Sequence, residues 1–321
     1  KVQNFIQVRD LAKFNENINV LVTGGSGQIG LDLQDIKLKK NYNFFFPDSN
    51  SFNLLNKEKM DIFFEKNKID LIINLAAYTN VDQAEIDREL CKNINFKGVI
   101  SLSELAKKNE VGIIQISTDY VFGKNNDGVK NIYHKPNPIN YYGYTKFESE
   151  KFIINESNNN LVIRLASVFG FYGNNFIKTM MKLILNNQDI NVISDQKISM
   201  TSSFEFAKNI PYLIDLYKEK IEFTDRIIHF TNKGYTNWFE VTKVIKDELE
   251  KIINKKILIN INAIKSNDWT SIAKRPLDSR LEVNFKELEN FNIFLPSWEM
   301  SVRDLVNKVF PEIIKDIRNE N

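Results

Sequence analysis

Short apolar runs alternate, through the first two thirds of the chain, with stretches that have helical spacing. Helical spacing of apolar positions falls at Met60–Phe64 and Val99–Lys107. The apolar runs are Ile18–Val22, Phe44–Phe46, Ile69–Leu75, Gly112–Ile116, Leu161–Leu165 and Ile227–Phe230. Near-continuous apolar strands that alternate with helices are typical of a parallel sheet covered on both faces. The pattern therefore predicts an α/β fold with a doubly wound parallel sheet.

Beyond about Phe171 the alternation becomes irregular. Helical spacing recurs at Phe176–Leu185 and Trp238–Ile252, whereas Ser266–Arg280 contains Pro276 and mixed charges, as loops do. We therefore expect a second, smaller α/β lobe toward the C-terminus. The division we predict is an N-terminal arm at 1–17, the doubly wound domain at 18–170 with about 205–232, and the lobe at 171–204 and 233–321.

Composition narrows the class of protein. With 43 basic and 41 acidic residues among 321, the formal charge of +2 does not predict a nucleic-acid surface. One cysteine, Cys91, excludes an internal disulfide, and with only two histidines a zinc site is not expected. The apolar runs are far shorter than the roughly 20 residues of a membrane span, and the start is polar. These features predict a cytoplasmic protein.

The glycine cluster after the first predicted strand carries the first candidate chemistry. Gly24, Gly27 and Gly30 lie between that strand and a predicted helix, which is the context of a dinucleotide site. Glycines let the backbone approach a pyrophosphate, whose charge meets N–H groups at the helix start. A tight turn without a ligand is the alternative. The sequence leaves NADH or NADPH open, because an acidic residue and three lysines both lie near the expected adenosine end: Asp48, Lys37, Lys39 and Lys40.

A tyrosine and a lysine four residues apart form the second candidate. Tyr142 and Lys146 would lie one turn apart on one face of a helix. An ammonium beside the phenol would lower the tyrosine pKa and make it a proton donor to a reducible carbonyl. Tyr120 and Lys124 have the same spacing, but they closely follow a strand and contain Gly123, so a helix is not expected there.

Hydroxyl groups follow the strand Gly112–Ile116. The segment Ser117–Gly123 lies at the carboxyl end of that strand, where ligands of open α/β sheets bind. A hydroxyl there can stabilise the alkoxide that develops when a carbonyl is reduced, although an ordinary turn is an equal reading.

Several separated segments together resemble the extended short-chain dehydrogenase/reductase superfamily, and within it the dTDP-4-dehydrorhamnose reductases. The resemblance runs from about Ile18 to the C-terminal region. Its most specific part is the stretch Asn74–Glu85, which reads NLAAYTNVDQAE. The other segments are Gly24–Gly30, Ser117–Phe122, Asn137–Gly143, Gly173–Phe176, Asp195–Gln196, Lys274–Pro276 and Ser279–Leu281.

This resemblance implies NAD(P)H-dependent reduction of the C4 keto group of a nucleotide-linked 4-dehydro-6-deoxy sugar. It implies that Tyr142 protonates the oxygen, that Lys146 holds the nicotinamide ribose, and that Thr118 orients the carbonyl. The implied cofactor residues are Gly24, Gly27, Gln28, Ile29, Gly30, Asn53, Ala76, Ala77, Tyr78, Thr79, Tyr142 and Lys146. The implied substrate residues are Thr118, Asp119, Asn175 and Arg275, of which Arg275 would reach the pyrophosphate.

Three departures bear on the sugar and the adenosine. Asn53 stands where the family commonly has an aspartate, and Ser167 stands where it has a tryptophan. The segment Asp195–Thr201 lacks the family's glycine and proline. The chemistry is therefore better specified than the sugar.

Other readings remain. A dehydratase would need a glutamate after Asp119, where this chain has Tyr120; a 4-epimerase is not excluded. A non-catalytic regulatory subunit, like that of methionine adenosyltransferase, also resembles these reductases, although retention of Tyr142 and Lys146 argues against it. The resemblance allows a homodimer. Asp32 and Glu299 lie near positions where some relatives hold Mg²⁺, but two distant carboxylates are weak support for a metal.

Overall fold

A six-stranded sheet forms the centre of the computed structural model, which describes residues 18–36, 42–124, 128–218, 226–290 and 292–320. Its strands are β1 (Ile18–Thr23), β2 (Tyr42–Phe45), β3 (Leu71–Asn74), β4 (Gly112–Thr118), β5 (Leu161–Leu165) and β9 (Ile227–His229). They are all parallel, in the order β2-β1-β3-β4-β5-β9. The chain passes from β1 to β2 on one side and returns to β3 on the other, so the winding reverses between β1 and β3. The predicted fold class, a Rossmann-type doubly wound sheet, is confirmed.

Eleven helices occur in the described ranges. They are α1 (Gln28–Asp35), α2 (Lys57–Lys66), α3 (Val81–Ile86), α4 (Arg88–Lys92), α5 (Gly98–Lys108), α6 (Tyr141–Glu156), α7 (Phe176–Leu185), α8 (Ser203–Lys218), α9 (Trp238–Ile253), α10 (Phe285–Asn290) and α11 (Trp298–Glu320). A π-helical segment, Asn93–Lys97, joins α4 to α5. None of the described helices has the length and apolar character needed to cross a bilayer.

Asparagine side chains start many of these helices. Asn56, Asn80, Asn140, Asn175 and Asn237 each precede a helix and accept a hydrogen bond from the backbone N–H three residues on. An N-cap of this kind satisfies one of the N–H groups that the first turn leaves without a partner. Part of the chain's richness in asparagine therefore serves to fix where its helices begin.

Both faces of the central sheet are covered, which is why its strands read as continuous apolar runs. Val20, Ile114 and Ile163 pack toward α1 and α8 on one face. Leu21 and Ile113 pack toward α2, α5 and α6 on the other face. Strands buried on both faces need apolar residues at every position.

A second apolar core lies outside the sheet. It is built by buried residues of α7, α9 and α11, such as Ile177, Val241 and Val306. Two strands that the sequence did not predict, β7 (Ile190–Ile193) and β10 (Ile261–Ile264), pair in parallel beside it. Two short strands, β6 (Val168–Phe169) and β8 (Thr201–Ser202), form a further pair near the central sheet. The predicted arm 1–17 and the lysines Lys37, Lys39 and Lys40 lie outside the described residues.

Candidate active site

A cleft of about 710 Å³ opens at the carboxyl ends of β1, β3, β4 and β5. This is the edge at which open α/β sheets bind ligands, next to the reversal of the strand order. Twelve predicted site residues line it: Gly24, Gly27, Gln28, Ile29, Gly30, Ala76, Ala77, Thr79, Thr118, Asp119, Tyr142 and Lys146. The cleft also has lining residues that sequence reasoning did not assign: Ser26, Leu75, Val81, Ile94, Ile116, Ser117, Tyr120, Leu165, Ser167, Val168, Gly173, Asn174 and Trp238.

The glycine turn between β1 and α1 forms the floor of one end of the cleft. Gly24 has a left-handed φ of 68°, and a Cβ there would lie 2.7 Å from the Ala76 backbone nitrogen. A Cβ on Gly30 would lie 2.5 Å from the Gly25 carbonyl oxygen. Helix α1 begins at Gln28 without a side-chain cap, so first-turn N–H groups remain for an anion. The turn therefore fits the pyrophosphate of a dinucleotide.

The loop after β3 is held by the π-helical segment. Asn95 accepts the Tyr78 backbone N–H at 2.7 Å and donates to the Tyr78 carbonyl at 3.1 Å. Its amide also donates to the Thr145 hydroxyl of α6 at 3.1 Å. Ala77 and Thr79, on either side of Tyr78, line the cleft, whereas the Tyr78 hydroxyl lies beside Asp87. Asn95 thus connects the cleft loop to the helix that carries Tyr142 and Lys146.

Tyr142 and Lys146 lie in the first turns of α6, and both side chains line the cleft. The helix approaches the turn after β4 so closely that a Cβ on Gly143 would lie 2.1 Å from the Tyr120 carbonyl oxygen. This approach places the Tyr142 phenol beside Thr118 in the cleft. Lys146 is buried, and its Nζ donates to the Ile116 carbonyl oxygen at 2.6 Å.

Burial sets the protonation of this pair. It raises the pKa of the Tyr142 phenol, against the opposing effect of the nearby Thr118 hydroxyl. It lowers the pKa of Lys146 to about 8, while the Glu150 carboxylate acts in the other direction. The sequence predicted that Lys146 would lower the Tyr142 pKa, and that prediction is wrong for this structure. The desolvation of the buried phenol is the largest influence on it.

Asp119 is a buried carboxyl at the end of β4. Its Oδ1 accepts a hydrogen bond from the Thr118 hydroxyl at 3.1 Å. Its Oδ2 has no hydrogen-bond partner among the described residues. Burial raises the pKa of Asp119 to about 7. The carboxyl therefore lies beside the catalytic candidates with one buried oxygen that no described group satisfies.

The far wall of the cleft comes from the second lobe and the β5–β6 corner. Trp238, at the start of α9, packs against Phe176 with ring centroids 4.6 Å apart. Ser167 and Val168 also line the cleft, and Ser167 has a left-handed φ of 41°. The sequence had indicated Ser167 as a departure from the family, but not its backbone conformation.

Four predicted ligand-binding residues are absent from the described lining of the cleft: Asn53, Tyr78, Asn175 and Arg275. Asn53 accepts the Leu55 N–H at 2.9 Å, and Asn175 caps α7 while donating to the Gly170 carbonyl oxygen at 2.7 Å. Arg275 forms a two-point ion pair with Asp82, with nitrogen–oxygen distances of 2.6 and 3.2 Å. Arg275 also lies close to Tyr120, which does line the cleft.

Two further candidates have local roles. Asp48 accepts the backbone N–H groups of Asn50 and Ser51 at 3.1 and 2.8 Å, so its carboxylate is occupied in a turn. Asp32 is buried and accepts a hydrogen bond from Ser203. Within the described ranges, histidine, cysteine and carboxylate side chains form no group of three that could hold a metal ion.

A dinucleotide-type glycine turn and a tyrosine–lysine pair four residues apart, facing one cleft of a parallel sheet, define a short-chain dehydrogenase/reductase of the extended type. A family model described as the RmlD substrate binding domain matches residues 18–310. A dTDP-4-dehydrorhamnose reductase of Aggregatibacter actinomycetemcomitans is 31% identical over 296 residues, which are 89% of this chain and 97% of that protein. The chain belongs to the dTDP-4-dehydrorhamnose reductase family, as the sequence predicted.

Solved structures agree with this assignment. The dTDP-4-dehydrorhamnose reductase of Bacillus anthracis, in complex with NADP, is 30% identical with a TM-score of 0.80, covering 91% of this chain and 99% of that one. A UDP-glucose 4-epimerase of Thermotoga maritima with UDP-glucose is 17% identical with a TM-score of 0.74, covering 92% and 100%. The second likeness concerns the fold alone.

Proposed function

We propose that the protein uses NAD(P)H to reduce the C4 keto group of a nucleotide-linked 4-dehydro-6-deoxy sugar. The substrate that fits the family best is dTDP-4-dehydro-L-rhamnose, and the product is then dTDP-L-rhamnose. The observation that carries this proposal is that Tyr142, Lys146 and Thr118 line the same cleft as the glycine turn.

Tyr142 would deliver the proton of the reduction. The bound nicotinamide supplies the hydride to C4 of the sugar. Because burial raises the pKa of Tyr142, the phenol holds its proton at neutral pH and can donate it as the sugar oxygen becomes an alkoxide. Thr118, whose hydroxyl donates to Asp119, would orient that oxygen.

Lys146 would hold the ribose next to the nicotinamide. One of its N–H donors is used by the Ile116 carbonyl oxygen, which fixes the direction of the ammonium at the cleft wall. The remaining donors suit the hydroxyl groups of a ribose. With a pKa of about 8, the ammonium form predominates at neutral pH.

The substrate end would use groups from both lobes. Asp119 offers its unpartnered oxygen to a sugar hydroxyl, and Trp238 offers an apolar wall. Arg275 would bind the pyrophosphate only after leaving Asp82, because its guanidinium is now paired with that carboxylate. Asn175 caps α7 and directly follows the lining residue Asn174. It would therefore help to position Asn174 at the substrate end of the cleft.

We propose NADPH as the preferred cofactor. An acidic residue at the end of the second strand would select NADH by binding the ribose hydroxyls. Here Asp48 is engaged by its own turn and is not among the described residues that line the cleft. The NADP complex of the Bacillus anthracis relative supports the same choice.

The proposal is tested by following NADPH oxidation after addition of dTDP-4-dehydro-L-rhamnose. We expect one NADPH consumed per sugar reduced, which separates a reductase from an epimerase. Tyr142→Phe should lower turnover by about 10²-fold or more while NADPH affinity stays near that of the wild type. The matched control is Tyr144→Phe, since Tyr144 lies on the same helix but is exposed.

Two results would contradict the proposal. Tight NADPH binding without oxidation, with this and related keto sugars, would favour a non-catalytic binding protein. Loss of NADPH binding in Tyr142→Phe would show that the phenol serves the cofactor rather than proton transfer.

A further inference from the structure

The hydroxyl of Ser117 is buried without a hydrogen-bond partner. Ser117 is 5% exposed, and its Oγ has no partner among the described residues. It lies on β4 between Ile116, whose carbonyl oxygen accepts a hydrogen bond from the Lys146 ammonium, and Thr118, which lines the cleft together with Tyr142. A buried hydroxyl without a partner is unfavourable, because it has lost its hydrogen bonds to water. Such a group in the wall of a cleft indicates that a bound ligand supplies the missing hydrogen bond.

The position of Ser117 along the strand shows which face of the sheet its side chain is on. Side chains of a strand alternate between the two faces of the sheet. Ile114 and Ile116 pack in the core beside α1 and α8. Ile113 packs in the core beside α5 and α6, so Ser117, four residues on, is on the α6 face. Lys146 enters the cleft from α6, which places Ser117 with Lys146 rather than with Thr118.

We propose that the Ser117 hydroxyl binds the ribosyl-nicotinamide half of the dinucleotide, alongside Lys146. This inference rests on the proposed function, in which Lys146 holds the nicotinamide ribose. The sugar substrate is the less suitable partner, because its keto oxygen is expected beside the Thr118 hydroxyl, and strand alternation puts that side chain on the other face of β4. Ser117 would be a binding residue that leaves proton transfer to Tyr142.

The test compares two ligands by calorimetric titration of the full chain and its Ser117→Ala variant. NADPH contains the nicotinamide half, and 2′,5′-ADP contains only the adenosine half. We expect Ser117→Ala to weaken NADPH binding by about three- to tenfold, the loss of one hydrogen bond, and to leave 2′,5′-ADP binding unchanged. The melting temperature without ligand should not fall, because the variant removes an unsatisfied group.

Ser199→Ala is the matched control. Ser199 is buried, but its hydroxyl accepts the Leu281 N–H at 3.0 Å and it is not among the described residues lining the cleft. Its variant should lower the melting temperature and bind both ligands as the wild type does.

The outcomes distinguish a failure of the Ser117 inference alone from a failure that includes the proposed function. Unchanged NADPH affinity in Ser117→Ala, or equal weakening of both ligands, would overturn the role of Ser117 while leaving the reductase proposal intact. A wild-type chain that binds NADPH no more tightly than 2′,5′-ADP would refute both the role of Ser117 and the reductase proposal.

Discussion

Asp119 is a buried carboxyl whose charge the fold does not compensate, and replacing it with asparagine should stabilise the protein in a pH-dependent way. Its pKa rises from 3.8 to about 7 because of burial, and its Oδ2 has no partner among the described residues. The folded state therefore binds the proton more tightly than the unfolded state does. It follows that the free energy of unfolding of the wild type falls as the pH rises from about 4 to 7.

The size of this effect follows from the shift. At about 1.4 kcal/mol per pH unit, a pKa raised from 3.8 to about 7 corresponds to a contribution of about 4 kcal/mol to the free energy of unfolding. This contribution is present at low pH and is lost completely above neutral pH. About 2–3 kcal/mol of that loss falls between pH 5 and pH 8. Asparagine keeps the shape of the side chain and does not titrate. The stability of Asp119→Asn relative to the wild type should therefore increase by about 2–3 kcal/mol over this interval.

Urea unfolding of both proteins at several pH values between 5 and 8 measures the difference. Asp278→Asn is a useful control, since Asp278 is also buried but is paired with Arg280 at 2.6 and 2.8 Å, which lowers its pKa. A lowered pKa gives stability that is fully present above pH 5, so this variant should be destabilised by a constant amount. A difference for Asp119→Asn that stays constant or shrinks toward pH 8 would refute the reasoning.

Two further predictions concern the cofactor end. Lys146→Met should lower both NADPH affinity and turnover. In the wild type, NADPH affinity should fall as the pH rises above about 8, because the lowered pKa of Lys146 means that its ammonium loses its charge there. Fluorescence titration from pH 6 to 9 measures this affinity, and a pH-independent affinity would contradict the prediction. Gly30→Ala should lower the melting temperature and weaken NADPH binding, because the alanine Cβ would lie 2.5 Å from the Gly25 carbonyl oxygen. Thermal-shift measurements with and without NADPH check both effects. A variant that melts and binds like the wild type would show that the turn can relax.

The sheet and several helices could be predicted from sequence because burial leaves a direct pattern. Strand Leu161–Leu165 and helix Phe176–Leu185 have the limits that the apolar spacing predicted. Helix Trp238–Ile253 extends the predicted one by a single residue. By contrast, β7 and β10 have only four residues each, several of them exposed, so no continuous apolar run marks them.

The site was predictable as a set of residue types, but not in its electrostatics. The direction of the Tyr142 pKa depends on how deeply the phenol is buried, which no local spacing encodes. The pairing of Arg275 with Asp82 joins residues 193 positions apart, so it could not be read from either segment. The domain limits, the roles of the site residues, the homodimer and the cytoplasmic location stay predictions.

The close approaches at Gly24 and Gly30 have a consequence for how this chain can diverge from its relatives. Only glycine fits at these two positions without a backbone shift, because a Cβ would contact the backbone of Ala76 or of Gly25. A pyrophosphate bound at this turn would be recognised by main-chain amides, which every residue type supplies equally. The side chains around the turn can therefore change through evolution, whereas a side chain at either glycine would force the backbone to shift.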